Sequence, residues 1–251
     1  MGEQNDAALY LIPVPLGGDD IGRVLPGYNH DVVCSIRHFI VENVRSARRF
    51  LKLVDKSIDI DALTFRELNE HTDLSSITQY LDPLEKGGES IGIISEAGCP
   101  AVADPGAAVV EMAQRKGLRV IPLVGPSSII MAVMASGFSG QSFAFNGYLP
   151  VKDGERASSL RRLEGRAWAE SQTQLFIEAP YRNMKMLGAI LSACRGETRL
   201  CVAAGLTTAQ EWVRTKRVSD WKKLPPAELE AALSKVPAIF LLYKGEHKGK
   251  K

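Results

Sequence analysis

The sequence has little cysteine and no strong excess of charge of either sign. Its four cysteines lie far apart and form no CxxC pair, which excludes a dense disulfide framework and a cysteine-rich zinc module. They are Cys34, Cys99, Cys194 and Cys201. This usage predicts a reducing, cytoplasmic environment. The 31 basic and 29 acidic side chains leave a net charge of +2, so bulk charge neither favours nor excludes a nucleic-acid partner.

Long apolar runs and metal-ligand spacings are also missing. No uninterrupted apolar run approaches the roughly 20 residues needed to cross a bilayer, so no membrane span is expected. The four histidines show no ligand spacing, which predicts that no metal is bound. They are His30, His38, His71 and His247. The G-x-G-x-x-G and G-K-[ST] signatures are absent, which disfavours a dinucleotide or a triphosphate.

The first half of the chain alternates short apolar runs with amphipathic segments. The runs predict strands near residues 8–16, 39–42, 90–95 and 118–123. Helices are expected at about 44–53 and from Asp104 to Gly117. Because strand and helix alternate, we expect a parallel sheet covered by helices.

The second half has a different pattern. Apolar segments predict strands near residues 174–178, 198–203 and 238–243. Residues 210–218 alternate with period two, which is typical of an antiparallel strand with one solvated face, so a mixed sheet is expected. A segment rich in Pro, Gly and charge at 148–154 predicts a domain boundary. The expected α/β domains are residues 1–148 and 149–251.

Three loops of the first half share one composition. They occupy residues 13–18, 95–106 and 124–128, and each follows a predicted buried strand. Small residues let the main chain approach a ligand closely, and proline keeps a loop rigid. Each loop alone is equally well explained as an ordinary turn. Together they predict a ligand crevice at the carboxyl ends of parallel strands.

These segments carry a resemblance to a known family. The runs Leu9–Leu16, Ile94–Gly106 and Pro122–Gly137 resemble the ribosomal RNA 2′-O-methyltransferases of the tetrapyrrole-methylase superfamily in content, order and spacing. The similarity covers most of the chain and weakens after Ala204. It implies the two-domain α/β fold of class III methyltransferases, with a mostly parallel N-terminal sheet and a mixed C-terminal sheet. It also implies a homodimer and S-adenosylmethionine as cofactor.

The resemblance further implies where the cofactor binds. In relatives it lies in a cleft between the two domains and is held mostly by main-chain groups. The matching positions in the first half are Pro13, Val14, Pro15, Gly98, Cys99, Val102, Ser127 and Ser128. Those in the second half are Ala179, Pro180, Tyr181, Ala204, Pro237 and Ala238.

Candidate residues for the methyl acceptor follow from the chemistry. Transfer to a hydroxyl requires in-line alignment and benefits from a nearby base. Glu42 and Arg45, after the second strand, are the leading pair, and a surface ion pair is the competing interpretation. The resemblance implies a second pair, Asn69 and Glu70, whose segment is similar to a polar segment of the RNA enzymes, and helix-start capping is the alternative.

The chain departs from the RNA-methylating relatives at two of these places. Residues 42–45 read Glu-Asn-Val-Arg where the relatives carry Glu-Asp-Thr-Arg, and Cys99 replaces their threonine. The departures leave open whether the substrate or the activity differs.

A basic stretch follows the predicted boundary. It contains Lys152, Arg156, Arg161, Arg162 and Arg166. It predicts a surface that contacts RNA phosphates, and a solvated helix face is the alternative. The predicted function is therefore methylation of a ribose 2′-hydroxyl of small-subunit ribosomal RNA. Two alternatives remain: a methylase of a small molecule such as a corrin-type tetrapyrrole, and a non-catalytic relative that keeps the pocket.

Overall fold

The computed structural model describes residues 7–69, 72 and 77–245. The chain divides into two compact units, Met1–Ser127 and Ser128–Lys251. This division lies about twenty residues before the predicted boundary at 148/149. The reason is that strand Phe143–Tyr148 pairs with Thr173–Ile177 and so belongs to the second unit. Pairing between distant segments is not visible in local composition.

The first unit is built on a five-stranded sheet. Its strands are β1 (Leu9–Ile12), β2 (His38–Val41), β3 (Thr64–Glu67), β4 (Ile91–Ile94) and β5 (Val120–Pro122). The helices are α1 (Ile21–Val24), α2 (Gly27–Ser35), α3 (Val44–Val54), α4 (Ile77–Tyr80), α5 (Asp82–Gly87) and α6 (Gly106–Arg115), with a 3₁₀ turn at Ile60–Ala62. The strand order is β3-β2-β4-β1-β5 and every pairing is parallel. The predicted parallel sheet is confirmed.

Both faces of this sheet are buried. Aliphatic and aromatic side chains from the central strands form one core with α2 and α3, and a second with α4, α5 and α6. All four residues of β4 are buried, which explains its continuous apolar sequence. Gly92 permits close packing inside that strand, since an added Cβ would lie 2.6 Å from Ile12 Cδ1.

The second unit has a mixed sheet. Its strands are β6 (Phe143–Tyr148), β7 (Thr173–Ile177), β8 (Arg199–Ala204), β9 (Trp212–Arg217) and β10 (Ala238–Tyr243). The helices are α7 (Ser128–Ser136), α8 (Asp153–Ala169), α9 (Asn183–Ala193), α10 (Val218–Trp221) and α11 (Pro226–Leu233), with a 3₁₀ turn at Pro180–Arg182. The order is β6-β7-β10-β8-β9, and only β6 with β7 is parallel. The predicted mixed sheet and the antiparallel β9 are confirmed.

In the part of the chain that the structure describes, no helix combines the length and apolar character needed to cross a membrane.

Helix α3 begins with a side-chain cap. The Oδ1 atom of Asn43 accepts hydrogen bonds from the backbone N–H of Arg45 at 2.9 Å and of Ser46 at 3.2 Å. These N–H groups have no partner within the helix, so the cap stabilises its first turn. Aspartate caps a helix as well as asparagine does. Asn43 therefore caps the helix as an aspartate at this position would.

Replacing Asn43 tests this cap. Asn43→Ala removes the acceptor and should lower the free energy of unfolding by about 0.5–2 kcal/mol. Asn43→Asp keeps an acceptor oxygen and should leave stability close to that of the parent. Urea unfolding followed by circular dichroism measures both. Equal stability of the alanine and aspartate variants would contradict the assignment.

Candidate active site

Strands β1, β2, β3 and β4 of the first sheet end at the same level. Ile12 of β1 and Val41 of β2 both lie opposite Ile94 of β4. Glu67, the last residue of β3, lies opposite Val41. The segments that follow these strands therefore leave the same edge of the sheet and lie close together, as expected for a parallel sheet.

Two of the three proline-rich and glycine-rich loops are joined by main-chain hydrogen bonds. The N–H of Val14 donates to the carbonyl of Gly98 at 2.9 Å, and the N–H of Gly98 donates to the carbonyl of Val14 at 3.1 Å. Gly98 has a φ of +72°, and an added Cβ would lie 3.1 Å from Leu16 Cδ2. The backbone conformation therefore favours glycine here, and the loop packing leaves little space for a side chain.

The third loop contacts the other two. A Cβ on Gly125 would lie 2.2 Å from Pro13 Cγ, so only glycine allows these loops to approach as they do. The Cys99 thiol donates to the carbonyl of Pro126 with an S–O distance of 3.5 Å. Burial raises the pKa of Cys99, which keeps the thiol protonated as a donor. The three loops thus converge at one edge of the sheet.

The second loop is held in an unusual backbone conformation. Ala101 and Ala103 have φ values of 63° and 59°, in the left-handed region that costs a non-glycine residue about 1–2 kcal/mol. The Asp104 carboxylate stabilises the turn, since its Oδ1 accepts from the N–H of Ala101 at 2.9 Å and of Gly106 at 2.7 Å. Its other oxygen, Oδ2, is buried and has no hydrogen-bond partner within the described residues. Such strain is concentrated at functional sites.

An open cavity of about 880 Å³ borders this loop. Its lining is mostly polar or small, and three carboxylates contribute to it. The residues are Glu42, Asn43, Asn69, Glu96, Ala101, Ala103, Asp104, Pro105 and Ala107. Two predicted acceptor residues, Glu42 and Asn69, are thus brought together although 27 positions separate them in the sequence.

The environment of Glu42 raises the pKa of its carboxyl group. Burial raises its pKa, and the negative charges of Asp104 and Glu96 raise it further. The N–H of Glu96 donates to Glu42 Oε1 at 3.2 Å and partly opposes this shift. Burial also raises the pKa of Asp104. The cavity therefore combines acceptor oxygens with negative potential, which favours cationic and hydroxyl-bearing groups over phosphates.

The other predicted acceptor residues are placed differently. Arg45 is exposed on the first turn of α3, and within the described chain no ion pair joins it to Glu42. The backbone N–H of Asn69 donates to Thr72 Oγ1 at 2.9 Å. The strand that precedes this segment ends at Glu67, and the alternative interpretation of Asn69 and Glu70 as a helix start stays a prediction. Glu70, His71 and His247 lie outside the described residues.

Two cavity residues were missed in the sequence. Glu96 and Asp104 both lie in the loop that was singled out for its small residues and proline. Asp104 was interpreted only as a helix cap. An acidic residue within such a loop is a weak signal, because its neighbours across the sheet are unknown until the strands are paired.

The predicted cofactor positions of the second unit meet at one end of its sheet. Ala204 at the end of β8 lies opposite Ala238 at the start of β10. The N–H of Gly205 donates to the carbonyl of Pro237 at 2.9 Å. The turn that contains Pro180 and Tyr181 follows β7 at the same end, since Ile177 pairs with Ile239. The side chains of Ala204 and Ala238 are buried, while Tyr181 is 74% exposed.

Only some side chains of the basic stretch are exposed to solvent. Arg156 is 2% exposed, donates to the carbonyl of Val151 at 2.9 Å and forms an ion pair with Asp153. Its prediction as a phosphate contact is wrong, because the helical period places it on the buried face of α8 with Leu160 and Leu163. The remaining four basic residues keep solvent access. They are Lys152, Arg161, Arg162 and Arg166.

Solved structures define the class of fold. The methyltransferase CobJ is similar over 95% of this chain and 95% of its own, with a TM-score of 0.60 and 15% identity. Cobalt precorrin-4 methyltransferase (CbiF), a cobalamin biosynthetic enzyme, is similar over 94% of each chain, with a TM-score of 0.57 and 15% identity. The protein has the α/β fold of the tetrapyrrole methylases.

Sequence relatives define the family, although no family profile matches the chain. Ribosomal RNA small subunit methyltransferase I of Vibrio cholerae is 33% identical over 208 residues, which span 82% of this chain and 67% of that protein. The Thermotoga maritima protein of that name is 35% identical over 74% of this chain and 82% of its own length. The Mesorhizobium japonicum protein is 41% identical over 52% of this chain, an alignment that spans only 43% of that relative. The chain belongs to the ribosomal RNA small subunit methyltransferase I family, as its loop motifs predicted.

Replacing Gly125 tests the loop junction. Gly125→Ala places a Cβ against the Pro13 ring, and such overpacking should lower the free energy of unfolding by about 1–3 kcal/mol. Gly27→Ala is the matched control, since its Cβ would meet no atom within 4 Å. Urea unfolding of both variants checks the expectation. Equal stability would show that the loops do not depend on this contact.

Proposed function

We propose that this protein transfers a methyl group from S-adenosylmethionine to a ribose 2′-hydroxyl of small-subunit ribosomal RNA. Family membership supports the reaction class. The observation that carries the proposal is the cavity in which Glu42 and Asn69 lie beside the second loop. It brings a candidate base and a candidate orienting amide to the edge where the three loops converge.

The residues present fit the proposed cofactor. Bound S-adenosylmethionine supplies a methyl group on a positively charged sulfur, and the carboxylates of the cavity favour a cation. The loop positions proposed to hold it are Pro13, Val14, Pro15, Gly98, Cys99, Val102, Ser127 and Ser128. The polar backbone atoms of Val14 and Gly98 bind each other, so these two residues shape the loop. In the second unit we retain Ala179, Pro180, Tyr181, Ala204, Pro237 and Ala238 as proposed contacts.

Glu42 is the proposed base for the acceptor. Its carboxylate would accept the hydroxyl proton as the oxygen takes the methyl carbon and the bond from that carbon to sulfur breaks, and such assistance contributes about 10²–10⁴-fold. Asn69, across the same cavity, would orient the hydroxyl. Arg45 and Glu70 remain proposed acceptor contacts. Alignment of the reactants by these groups supplies the rest of the catalysis.

The structure weakens one argument for a non-catalytic relative. That argument rested on the changed residues after Glu42, yet Asn43 still caps α3 through two hydrogen bonds. The carboxylate of Glu42 is unchanged and lines the cavity. The likeness to corrin-pathway methyltransferases concerns the fold and does not favour a tetrapyrrole acceptor.

Phosphates of the RNA require a basic surface, because the acidic cavity would repel them. Arg161 and Arg162 are exposed on α8 and are proposed to supply it, together with Lys152 and Arg166. We also propose that the protein works in the cytoplasm as a homodimer. Two-fold dimers are the commonest assembly of soluble proteins. The family resemblance also implies a homodimer.

Methyl transfer to RNA is measured directly with labelled S-adenosylmethionine and undermodified small ribosomal subunits. Label should appear in the ribosomal RNA, in a nucleotide that resists cleavage at its 2′-hydroxyl. Label that enters only a small molecule of a cell extract would support the alternative acceptor. Absence of transfer to either would support the non-catalytic alternative.

The pH dependence of this transfer tests Glu42. A base must be deprotonated, and the pKa of Glu42 is raised by burial, so the rate should rise with pH through a range above that of an ordinary glutamate. Glu42→Gln should lower the rate by about 10²–10⁴-fold and remove this acidic limb. Glu111→Gln, on the surface of α6, is the control. A glutamine variant that keeps both rate and pH profile would exclude Glu42 as the base.

Salt dependence of RNA binding tests the basic surface. Arg161→Gln and Arg162→Gln should each reduce the slope of log affinity against log salt by about one if each contacts a phosphate. Lys86→Gln, in the first unit, should leave the slope unchanged. Unaltered slopes in both arginine variants would show that α8 does not contact the RNA.

A further inference from the structure

Three side chains with metal-binding atoms meet at the carboxyl ends of α2 and α3. His30 and Cys34 lie one helical turn apart on α2, and Asp55 is the residue that ends α3. His30 Nε2 lies 3.1 Å from Asp55 Oδ2 and 3.8 Å from Cys34 Sγ. The ligand atoms of all three residues lie within 4.8 Å of one another.

We propose that His30, Cys34 and Asp55 form a binding site for a divalent ion of the zinc type. With ordinary zinc bond lengths, tetrahedral ligand atoms are about 3.3–3.6 Å apart, close to both observed separations. Imidazole, thiolate and carboxylate are the three protein ligands that zinc prefers. The fourth position would be filled by water.

The surrounding hydrogen bonds orient two of these ligands. His30 Nδ1 lies 3.1 Å from Asp31 Oδ1, so the second ring nitrogen has a carboxylate partner and Nε2 faces the cluster. Metal-binding histidines typically have such a partner. Asp55 Oδ1 accepts the N–H of Ser57 at 2.7 Å, which directs Oδ2 toward His30. The arrangement is more specific than a surface ion pair, because each held side chain presents its remaining atom to the same point.

The charge of the three ligands and their exposure to solvent also suit a divalent ion. Binding would release the thiol proton of Cys34 to solvent and leave a neutral imidazole, so the thiolate and carboxylate would balance the two positive charges of the ion. The side chains of His30 and Asp55 are 46% and 30% exposed, which gives the ion a path from solvent.

The proposed site is separate from the candidate active site. Asn43, at the other end of α3, borders the acidic cavity. The 11 residues of α3 span about 16 Å between them. The ion would therefore tie α2 to α3 and stabilise the first unit without contacting the acceptor cavity.

Metal titration of the full chain tests the proposal without any measurement of methyl transfer. After treatment with a chelator and gel filtration, the protein should bind one equivalent of Zn²⁺ in competition with a chromophoric chelator. Co²⁺ in its place should give a thiolate-to-cobalt absorption band in the near ultraviolet. Zn²⁺ should also raise the thermal unfolding midpoint.

Variants identify the ligands. Cys34→Ser should abolish the cobalt band and, like His30→Gln and Asp55→Asn, should lower zinc affinity at least tenfold. Asp31→Asn should lower it by about 10–100-fold through loss of the carboxylate that orients His30. His38→Gln is the matched control, because among the described residues His38 pairs with Glu89 and belongs to no cluster of three possible metal ligands. Equal unfolding midpoints in chelator would establish that the variants fold.

Two results would overturn the proposal. The first is absence of stoichiometric zinc binding by the parent protein at micromolar concentration. The second is a cobalt band and a zinc affinity that persist unchanged in Cys34→Ser.

Discussion

When parallel strands end at the same level, the segments that follow them begin at the same edge of the sheet. The rest of the first unit depends on this constraint. The register that places Ile12 and Val41 opposite Ile94 fixes where the next segments begin. The exchange of hydrogen bonds between Val14 and Gly98 then joins two loops. Three loops that are separate in sequence become one surface, and Gly125 allows the closest of these approaches because the Pro13 ring occupies the space of a Cβ.

Three carboxylates lie together at the same edge, and their negative charges repel one another. Hydrogen bonds from the backbone N–H groups of Glu96, Ala101 and Gly106 offset part of this repulsion. Burial, together with the repulsion that remains, raises the pKa of Glu42, the property that a proton acceptor for a weakly acidic hydroxyl requires. In the proposed reaction, the negative cavity would favour the cationic methyl donor, and the basic surface of α8 would bind the anionic RNA.

Helix α3 connects two regions with different chemistry. Its first turn is capped by Asn43 beside the acidic cavity, and its last residue leads to Asp55 beside His30. Between these ends, Phe50 and Leu51 are buried in the core that α3 shares with the sheet.

Local sequence determined the elements and the family of this protein. Apolar runs marked β1, β4 and β10, and the period-two pattern of β9 marked its solvated face. The loop motifs gave the family because small residues and proline at strand ends are local features. Glu42 was a candidate because it lies at the end of a predicted strand, and Asn69 because its segment resembles a polar segment of the RNA enzymes.

Tertiary structure alone decided which of these features lie together. Only strand pairing shows that β6 belongs to the second unit and that Glu96 and Asp104 share a cavity with Glu42. His30 and Cys34 have the spacing of one helical turn, yet the third member of their cluster is 21 positions beyond Cys34. The physical reason is that periodicity and turn chemistry act over a few residues, whereas proximity across the chain is set by strand register and by the packing of buried side chains.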